Sequence, residues 1–276
     1  MALRADAFTE AVRSERITLR NVGHRYRLRK ASKGSDEFVA LDGVDLDVYA
    51  GEFLAIVGPS GCGKSTLLDI VSGLVQPSGG DVRINGRVVT GPALDRGIVL
   101  QGYALFPWRT TRRNVEFGLE VKKVPKAERR AISDHFIRLV GLQGYEDRLP
   151  YELSGGMKQR VALARALAYD PDILLMDEPF AAVDAQTRES LQDELLRIWE
   201  ETRKTVIFVT HAIEEAVFLA DRIAVMASNP GRIRQIVSVD LPRPRNAPGL
   251  RSSDAFGVLR HEVWKLLQST APQLSP

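Results

Sequence analysis

The sequence predicts an α/β fold built on a largely parallel β-sheet. Wholly apolar runs of four or five residues, the pattern of strands buried on both faces, alternate along the chain with helical patterns. One such run, at residues 53–57, leads directly into a glycine-rich loop that precedes a helical pattern. Between about residues 103 and 165 the periodicity is helical, which predicts an inserted α-helical subdomain.

The elements of the first hundred residues can be assigned in chain order. Residues 1–15 are expected to form a flexible N-terminus, and the basic stretch at 27–36 an exposed loop. The predicted strands are 17–22 and 39–48, which alternate apolar and polar side chains, and 53–57 and 97–100, which are mostly apolar. A helix is predicted from Lys64 to Leu74, directly after the glycine-rich loop.

The rest of the chain continues this alternation. In the insertion, Pro125 and Gly141 fit the start and the end of a helix whose apolar residues are Ile132, Phe136, Leu139 and Val140. Further buried strands are predicted at 173–176, 206–209 and 222–226. The helix between the first two of these has an apolar face made of Leu191, Leu195, Ile198 and Trp199. Residues 241–276, rich in proline and arginine at their start, are predicted to be a short extension with one helix near 258–267.

The composition is that of a soluble globular protein. Of 276 residues, 44% are hydrophobic and 26% are charged, and no stretch approaches the apolar length of a membrane span. The N-terminus lacks the apolar region of a signal peptide, so we expect a cytoplasmic location. The single cysteine, Cys62, excludes a disulfide framework and a cysteine-based zinc site. A net charge of +3 fits either an anionic membrane surface or an ordinary solvated surface.

The glycine-rich loop matches the phosphate-binding pattern GxxxxGK[ST] and has the required position between a strand and a helix. Its residues are Gly58, Pro59, Ser60, Gly61, Cys62, Gly63, Lys64, Ser65 and Thr66. The glycines allow backbone N–H groups to point at phosphate oxygens, Lys64 offers a cation to the β- and γ-phosphates, and Ser65 offers a hydroxyl to Mg²⁺. Cys62 is either a small residue that fills the loop or a thiol made reactive by the helix N-terminus.

Polar residues at the carboxyl ends of the predicted strands extend this candidate site. Asp177 and Glu178 follow the strand at 173–176, where an aspartate can hold Mg²⁺ and the neighbouring glutamate can polarise an attacking water. His211 follows the strand at 206–209, where its imidazole can bond to the γ-phosphate. Gln101 ends the strand at 97–100 and offers an amide to Mg²⁺ and the attacking water.

Three further features point to ligands or partners. The run 153–160 begins an amphipathic helix with a second anion-binding end, which suggests a site completed by another copy of the chain; its phosphate-facing residues are Ser154, Gly155 and Gly156. Tyr26 is the candidate to stack on adenine, with Phe38 as a competing candidate. The apolar run from Ala104 to Trp108 is either ordinary core or an exposed patch that receives a partner helix.

In their order, these motifs resemble the nucleotide-binding subunit of ATP-binding-cassette (ABC) transporters over nearly the whole chain. The matching positions are 58–66, Gln101, 153–160, Asp177, Glu178, Asp184 and His211. The resemblance implies a P-loop NTPase (RecA-like) core with an antiparallel β-subdomain and the inserted helical subdomain, as one ATP-binding domain over residues 16–240. It also implies a head-to-tail homodimer in which ATP and Mg²⁺ lie between the phosphate loop of one copy and residues 154–156 of the other, with Asp184 in the inter-subunit loop.

Within this family the chain looks most like the ATPases of bacterial importers for nitrate, sulfonates and taurine. The segments that carry this likeness are 91–97, 105–109, 177–180, 184–188, 213–218 and 241–245. Taurine-type subunits are the most similar, through the segments 179–180, 214–218 and 229–232. The likeness implies two permease subunits that dock near Ala104–Trp108, a periplasmic solute-binding protein as an indirect partner, and a peripheral place on the cytoplasmic face of the bacterial inner membrane, with no nucleic-acid partner.

Three other classes of protein fit the sequence less well. A soluble ABC protein of DNA repair or translation usually carries two cassettes or a long coiled-coil insertion, and this sequence has neither. A small-molecule kinase with a phosphate loop would have no use for the run 153–160. A non-hydrolysing scaffold is disfavoured by Glu178 and His211.

Overall fold

The structure is a computed structural model that describes residues 14–27, 37–181 and 183–268. Most of the predicted N-terminal segment and most of the predicted basic loop lie outside these residues. Within them, the β-strands form one four-stranded and one six-stranded sheet. The strands are β1 (Glu15–Arg27), β2 (Glu37–Tyr49), β3 (Phe53–Val57), β4 (Gly79–Ile84), β5 (Arg87–Val88), β6 (Arg96–Val99), β7 (Ile173–Asp177), β8 (Thr205–Thr210), β9 (Arg222–Ala227) and β10 (Arg232–Ser238).

The α-helices of the same residues include every helix that the sequence predicts. They are α1 (Lys64–Ser72), α2 (Thr111–Val115), α3 (Phe117–Val121), α4 (Lys126–Leu139), α5 (Gly155–Ala168), α6 (Ala185–Thr202), α7 (Ile213–Leu219) and α8 (Asp254–Gln268). Helix α4 begins directly after Pro125, and Gly141 lies just beyond its end with a φ of 66°. Proline fits the first turn of a helix and glycine the left-handed residue that ends one, which is why both boundaries could be predicted.

The six-stranded sheet is mostly parallel and the four-stranded sheet is antiparallel. The larger sheet has the order β10-β9-β3-β8-β7-β6, and its pairs are parallel except that β10 runs antiparallel to β9. The smaller sheet has the order β2-β1-β4-β5. This mixed α/β architecture confirms the predicted fold class. Because β3, β8 and β7 are parallel neighbours, their carboxyl ends meet at one edge of the sheet, where ligands bind in such folds.

Two hydrophobic cores lie on opposite faces of the larger sheet. Phe53 and Ala55 of β3 belong to a core shared with the helices α2 to α8, whereas Leu54 and Ile56 belong to a core shared with α1 and the antiparallel sheet. Successive residues of a strand point to opposite faces, so a wholly apolar strand serves both cores. This arrangement fixes β3 firmly, and the phosphate loop follows directly from its last residue.

The segment after residue 240 packs on the larger core. Helix α8 contacts α7 and β9, and its residues Phe256 and Val263 are buried in that core. The predicted domain boundary at residue 240 stays a prediction. No helix of the described residues is both long enough and apolar enough to cross a membrane.

Candidate active site

The phosphate loop makes a tight turn between β3 and α1. Gly63 precedes α1 with a left-handed φ of 97°, a conformation that side chains disfavour. At Gly58 a Cβ atom would lie 2.5 Å from Cys62 Sγ, so only glycine fits against that thiol. The sequence therefore places its glycines where the backbone must turn or where another atom comes close.

Lys64 carries a positive charge into the centre of this loop. Its side chain is only 6% exposed, and Nζ donates hydrogen bonds to the carbonyl oxygens of Gly58 at 2.9 Å and Pro59 at 3.2 Å. Nζ also lies 3.9 Å from Glu178 Oε1, so the loop and the end of β7 meet around this ammonium group. A cation held this way is placed to bind an anionic ligand.

Asp177, the last residue of β7, fits a divalent cation. Burial raises the pKa of its carboxyl, a hydrogen bond from Ser65 opposes that shift, and the neighbouring charge of Glu178 adds to it. Oδ1 of Asp177 is buried and has no hydrogen-bond partner. In the described chain no group of three or more His, Cys, Asp or Glu side chains could hold a metal ion alone. Mg²⁺ suits such a site, because it commonly binds through one or two protein oxygens with phosphates and waters completing its shell.

Glu178 and His211 meet at the ends of the neighbouring strands β7 and β8. His211 Nδ1 lies 2.9 Å from Glu178 Oε2, within hydrogen-bonding distance. Glu178 adopts a left-handed φ of 43°, and its backbone N–H donates to the carbonyl oxygen of Val209 at 2.9 Å. A left-handed conformation is uncommon for a glutamate. Glu178 contacts His211 and approaches Lys64, whereas Asp177 accepts a hydrogen bond from Ser65.

A cavity of about 450 Å³ joins Lys64 and Glu178 to the candidate adenine contacts, and its lining does not include Asp177 or His211. It is lined by Tyr26, Phe38, Ala40, Ser60, Gly61, Gly63, Lys64, Ser65, Thr66, Gln101 and Glu178. Tyr26 and Phe38 are partners across β1 and β2, and the Tyr26 hydroxyl lies 3.2 Å from Thr66 Oγ1. Both aromatic candidates therefore face the cavity, and the choice between them stays open.

The second predicted anion-binding end is not part of this cavity lining. Ser154 is exposed and caps α5, its Oγ accepting a hydrogen bond from the Met157 N–H at 3.3 Å, with Gly155 and Gly156 as the first helical residues. Asp184 caps α6 in the same way, accepting from the Thr187 N–H at 3.0 Å. The two helix ends adjoin each other, because a Cβ on Gly156 would lie 2.7 Å from Thr187 Cγ2. Ser154 and Asp184 are thus exposed at adjoining helix ends, with Gly155 half-buried and Gly156 buried between the two helices.

The apolar run from Ala104 to Trp108 forms an exposed loop rather than core. Trp108 is 73% exposed, and its ring lies 5.8 Å from that of Phe106. Asn114, fully buried on α2, organises the loop from beneath: its side-chain amide donates to the carbonyl oxygens of Phe106, Arg109 and Thr110. The exposed-patch interpretation of this run is therefore favoured.

Arg165 of α5 fixes the chain between Gln101 and this loop. Its guanidinium donates to the carbonyl oxygens of Tyr103, at 2.9 Å, and Ala104, two successive residues with left-handed φ values of 60° and 46°. Sequence reasoning identified neither Arg165 nor Asn114. Arg165 stands alone in an apolar helical run, a pattern that more often marks a solvated position, and Asn114 follows two threonines and two arginines and carries no such signal.

Comparisons with known proteins agree with this geometry. The ABC transporter family profile matches residues 41–181. A protein of Methanocaldococcus jannaschii described as an uncharacterized ABC transporter ATP-binding protein is 55% identical over 233 residues, which cover 83% of this chain and 87% of that protein. The taurine import ATP-binding protein TauB of Roseobacter denitrificans is 44% identical over 254 residues, covering 91% and 93%. The bicarbonate transport ATP-binding protein CmpC of Synechococcus elongatus is 47% identical, covering 83% of this chain but 35% of that longer protein.

Solved structures give the same result for the fold. A dimeric, post-hydrolysis structure of the ATP-binding cassette MJ0796, bound to ADP and Pi, has a TM-score of 0.72 and 34% sequence identity. The similarity covers 82% of this chain and all of that cassette. Taken together with the phosphate loop, the strand-end residues and the family match, these similarities establish that the chain belongs to the ABC transporter family, as an ATP-binding ATPase subunit.

Proposed function

We propose that this chain hydrolyses ATP as one half of a head-to-tail homodimer on the cytoplasmic face of the bacterial inner membrane, and so drives import of a small solute. One observation carries the catalytic part: the 2.9 Å contact between Glu178 and His211, beside the ammonium group of Lys64. It brings a candidate base, a candidate γ-phosphate ligand and a phosphate-binding cation to one edge of the sheet.

Each of these side chains has a distinct role in the proposal. Glu178 orients and deprotonates the attacking water, and His211 binds the γ-phosphate and helps to orient that water. Lys64 stabilises the charge on the transferring phosphoryl group. Ser65 and Asp177, with Gln101 from the adjoining loop, would hold Mg²⁺, which when bound neutralises phosphate oxygens. Tyr26 or Phe38 stacks on the adenine.

A second copy of the chain completes the site. Ser154, Gly155 and Gly156 lie outside the lining of their own cavity, and their helix end suits an anion. In the proposed dimer they contact the ATP held by the partner's phosphate loop, and Asp184 lies at the same interface. The dimeric state of the solved MJ0796 cassette supports this arrangement.

The membrane partners and the solute are further parts of the proposal, supported by the similarity to transporter ATP-binding proteins. We propose that two permease subunits dock at the loop from Ala104 to Trp108, and that a periplasmic binding protein delivers the solute. Taurine is the first candidate, on the similarity to TauB; aliphatic sulfonates and nitrate are the alternatives. The similar identity of a bicarbonate relative adds a further anion to test. Reconstitution with the co-purified membrane subunits and a transport assay for each solute separates them.

Glu178→Gln tests the catalytic role. The amide keeps the shape of the side chain but cannot accept a proton, so hydrolysis is expected to fall about 100-fold or more while ATP stays bound. Phosphate release measures the rate, and size-exclusion chromatography with ATP is expected to show a trapped dimer. Glu201→Gln is the matched control: Glu201 is exposed, 2.7 Å from Arg197 on α6, and should keep the wild-type rate. If Glu178→Gln hydrolysed ATP at the wild-type rate, the assignment of Glu178 as the base would be wrong.

A further inference from the structure

The backbone on both sides of His211 is fixed by the hydroxyl group of Thr210. Thr210 Oγ1 donates to Glu215 Oε2 at 2.6 Å and accepts a hydrogen bond from the Ala212 N–H at 3.0 Å. The hydroxyl therefore uses both its donor and an acceptor position in a buried setting. His211 lies in the chain between Thr210 and Ala212, which this hydroxyl joins.

Glu215 is a buried carboxylate in the first turn of α7. It is 6% exposed, and burial raises the pKa of its carboxyl although Thr210, Arg188 and Gln192 favour its charged form. Arg188 Nε lies 3.8 Å away, on the next helix of the core, α6. A buried carboxylate loses its hydration, and replacing a whole buried ion pair with apolar residues is often neutral for folding, whereas removing one partner alone is costly. The buried pair of Glu215 and Arg188 is therefore weak evidence for a role in stability, and its place beside His211 favours a role in positioning.

The partners of Glu215 lead to two other parts of the molecule. Arg188 donates to the carbonyl oxygen of Val183 at 2.9 Å, directly before the helix cap at Asp184. Gln192 accepts a hydrogen bond from Arg251 at 2.9 Å, in the segment after residue 240. The Glu215 carboxylate therefore lies between two parts of the molecule. Through Arg188 it is linked to the loop before Asp184, and through Thr210 it is linked to His211.

We propose that Glu215 is a positioning residue for ATP hydrolysis: through Thr210 it holds His211 against Glu178, and through Arg188 it makes the position of His211 depend on the Asp184 loop. This inference rests on the proposed function, because it takes His211 as a γ-phosphate ligand. The partners of Glu215 are Thr210, Arg188 and Gln192, none of which lines the cavity, so Glu215 acts through its neighbours.

Glu215→Leu is expected to lower kcat about tenfold, because a displaced His211 loses its alignment, while KM for ATP stays within about twofold. Glu215→Gln keeps an oxygen that can accept from Thr210 and is expected to recover most of kcat. Thr210→Val removes the hydrogen bond to Glu215 from the other side, together with the one from the Ala212 N–H, and is expected to lower kcat at least as much as Glu215→Leu. Thr202→Val is the control, since it removes a hydroxyl that bonds to the Ile198 carbonyl oxygen on α6.

A double-mutant cycle with His211→Ala separates positioning from general packing. If Thr210 and Glu215 act through His211, their substitutions are expected to lower kcat by less than about twofold once the imidazole is gone. Equal losses with and without His211 would overturn the inference, as would wild-type kcat in a folded Thr210→Val variant. If Glu215→Leu fails to fold, the Thr210→Val arm decides. The proposed function fails separately, if Glu178→Gln and His211→Ala themselves hydrolyse ATP at the wild-type rate.

Discussion

At the scale of single residues, Cys62 packs as a filler inside the phosphate loop. Its side chain is 1% exposed, and its Sγ occupies the space that a Cβ on Gly58 would need. Burial raises the pKa of the thiol, and the opposing effect of the Lys64 charge is smaller. Of the two interpretations that the sequence allows, the structure favours a packed, protonated thiol over a reactive one.

Alkylation of Cys62 is expected to be slow and strongly pH-dependent. The thiolate is the reactive form, and a raised pKa in the folded state keeps it scarce at pH 7.5, so the rate with iodoacetamide should rise as the pH passes 9. The urea-unfolded chain, with an ordinary thiol, is the control and should react much faster at pH 7.5. The modified chain is expected to lose ATP binding because the added group fills the loop. Full activity after modification confirmed by mass spectrometry would refute this.

At the scale of elements, the first turns of α5 and α6 meet where Gly156 packs against the methyl group of Thr187. Gly156 leaves room for Thr187 Cγ2, which a Cβ would approach to 2.7 Å. Both helix ends carry residues assigned to the dimer interface, Ser154 and Asp184. Their relative position therefore depends on a glycine that is needed for space rather than for its backbone angles.

Gly156→Ala is expected to push the two helix ends apart and to lower kcat at least tenfold, since sub-ångström displacements of positioned groups are costly. Thr187→Ser removes the obstructing methyl group and keeps the backbone N–H that donates to the helix cap Asp184, so Gly156→Ala/Thr187→Ser is expected to recover activity. Phosphate release by the single and double variants measures this, with Thr187→Ser alone as the control. A double variant no better than Gly156→Ala would show that this contact does not set the spacing.

The sequence predicted the buried elements better than the exposed ones. β3, β7 and β8 are almost entirely apolar, so their type was readable without knowing their neighbours. β4 and β10 were missed because glycines and charged side chains interrupt their alternation. In the candidate site, motif spacing identified Lys64 and Glu178, whose roles depend on local sequence. The positioning role of Glu215 was missed because it depends on contacts with Thr210 and with Arg188 on another helix, which form only in the folded chain.

At the scale of the whole molecule, the segment after residue 240 is attached to the core through a buried arginine. Arg245 is 2% exposed, and its guanidinium donates to the carbonyl oxygens of Val217, Phe218, Ala220 and Val239. Three of these carbonyls lie at the end of α7, where they have no helical partners. One side chain thus completes the helix whose first turn carries Glu215.

Arg245→Met is expected to lower the free energy of unfolding by about 1–3 kcal/mol, because it leaves buried carbonyl groups without donors. Urea denaturation monitored by circular dichroism measures the change. Arg260→Met is the matched control: Arg260 is exposed on α8, 3.7 Å from Glu214, and its loss should stay within about 0.5 kcal/mol. Equal, small effects of both substitutions would mean that water replaces the Arg245 hydrogen bonds.

The separation of Ser154 from the cavity of its own chain has a genetic consequence. In the proposed dimer, Lys64→Ala disables the site that a chain binds with its loop, whereas Ser154→Arg disables the site that it completes for its partner. Each homodimer would be inactive. A mixed dimer would concentrate both lesions in one site and leave the other intact, so combining the two dead proteins should restore hydrolysis. Complementation between two null alleles of one gene is thus expected, and phosphate release from the mixture, compared with each protein alone, measures it.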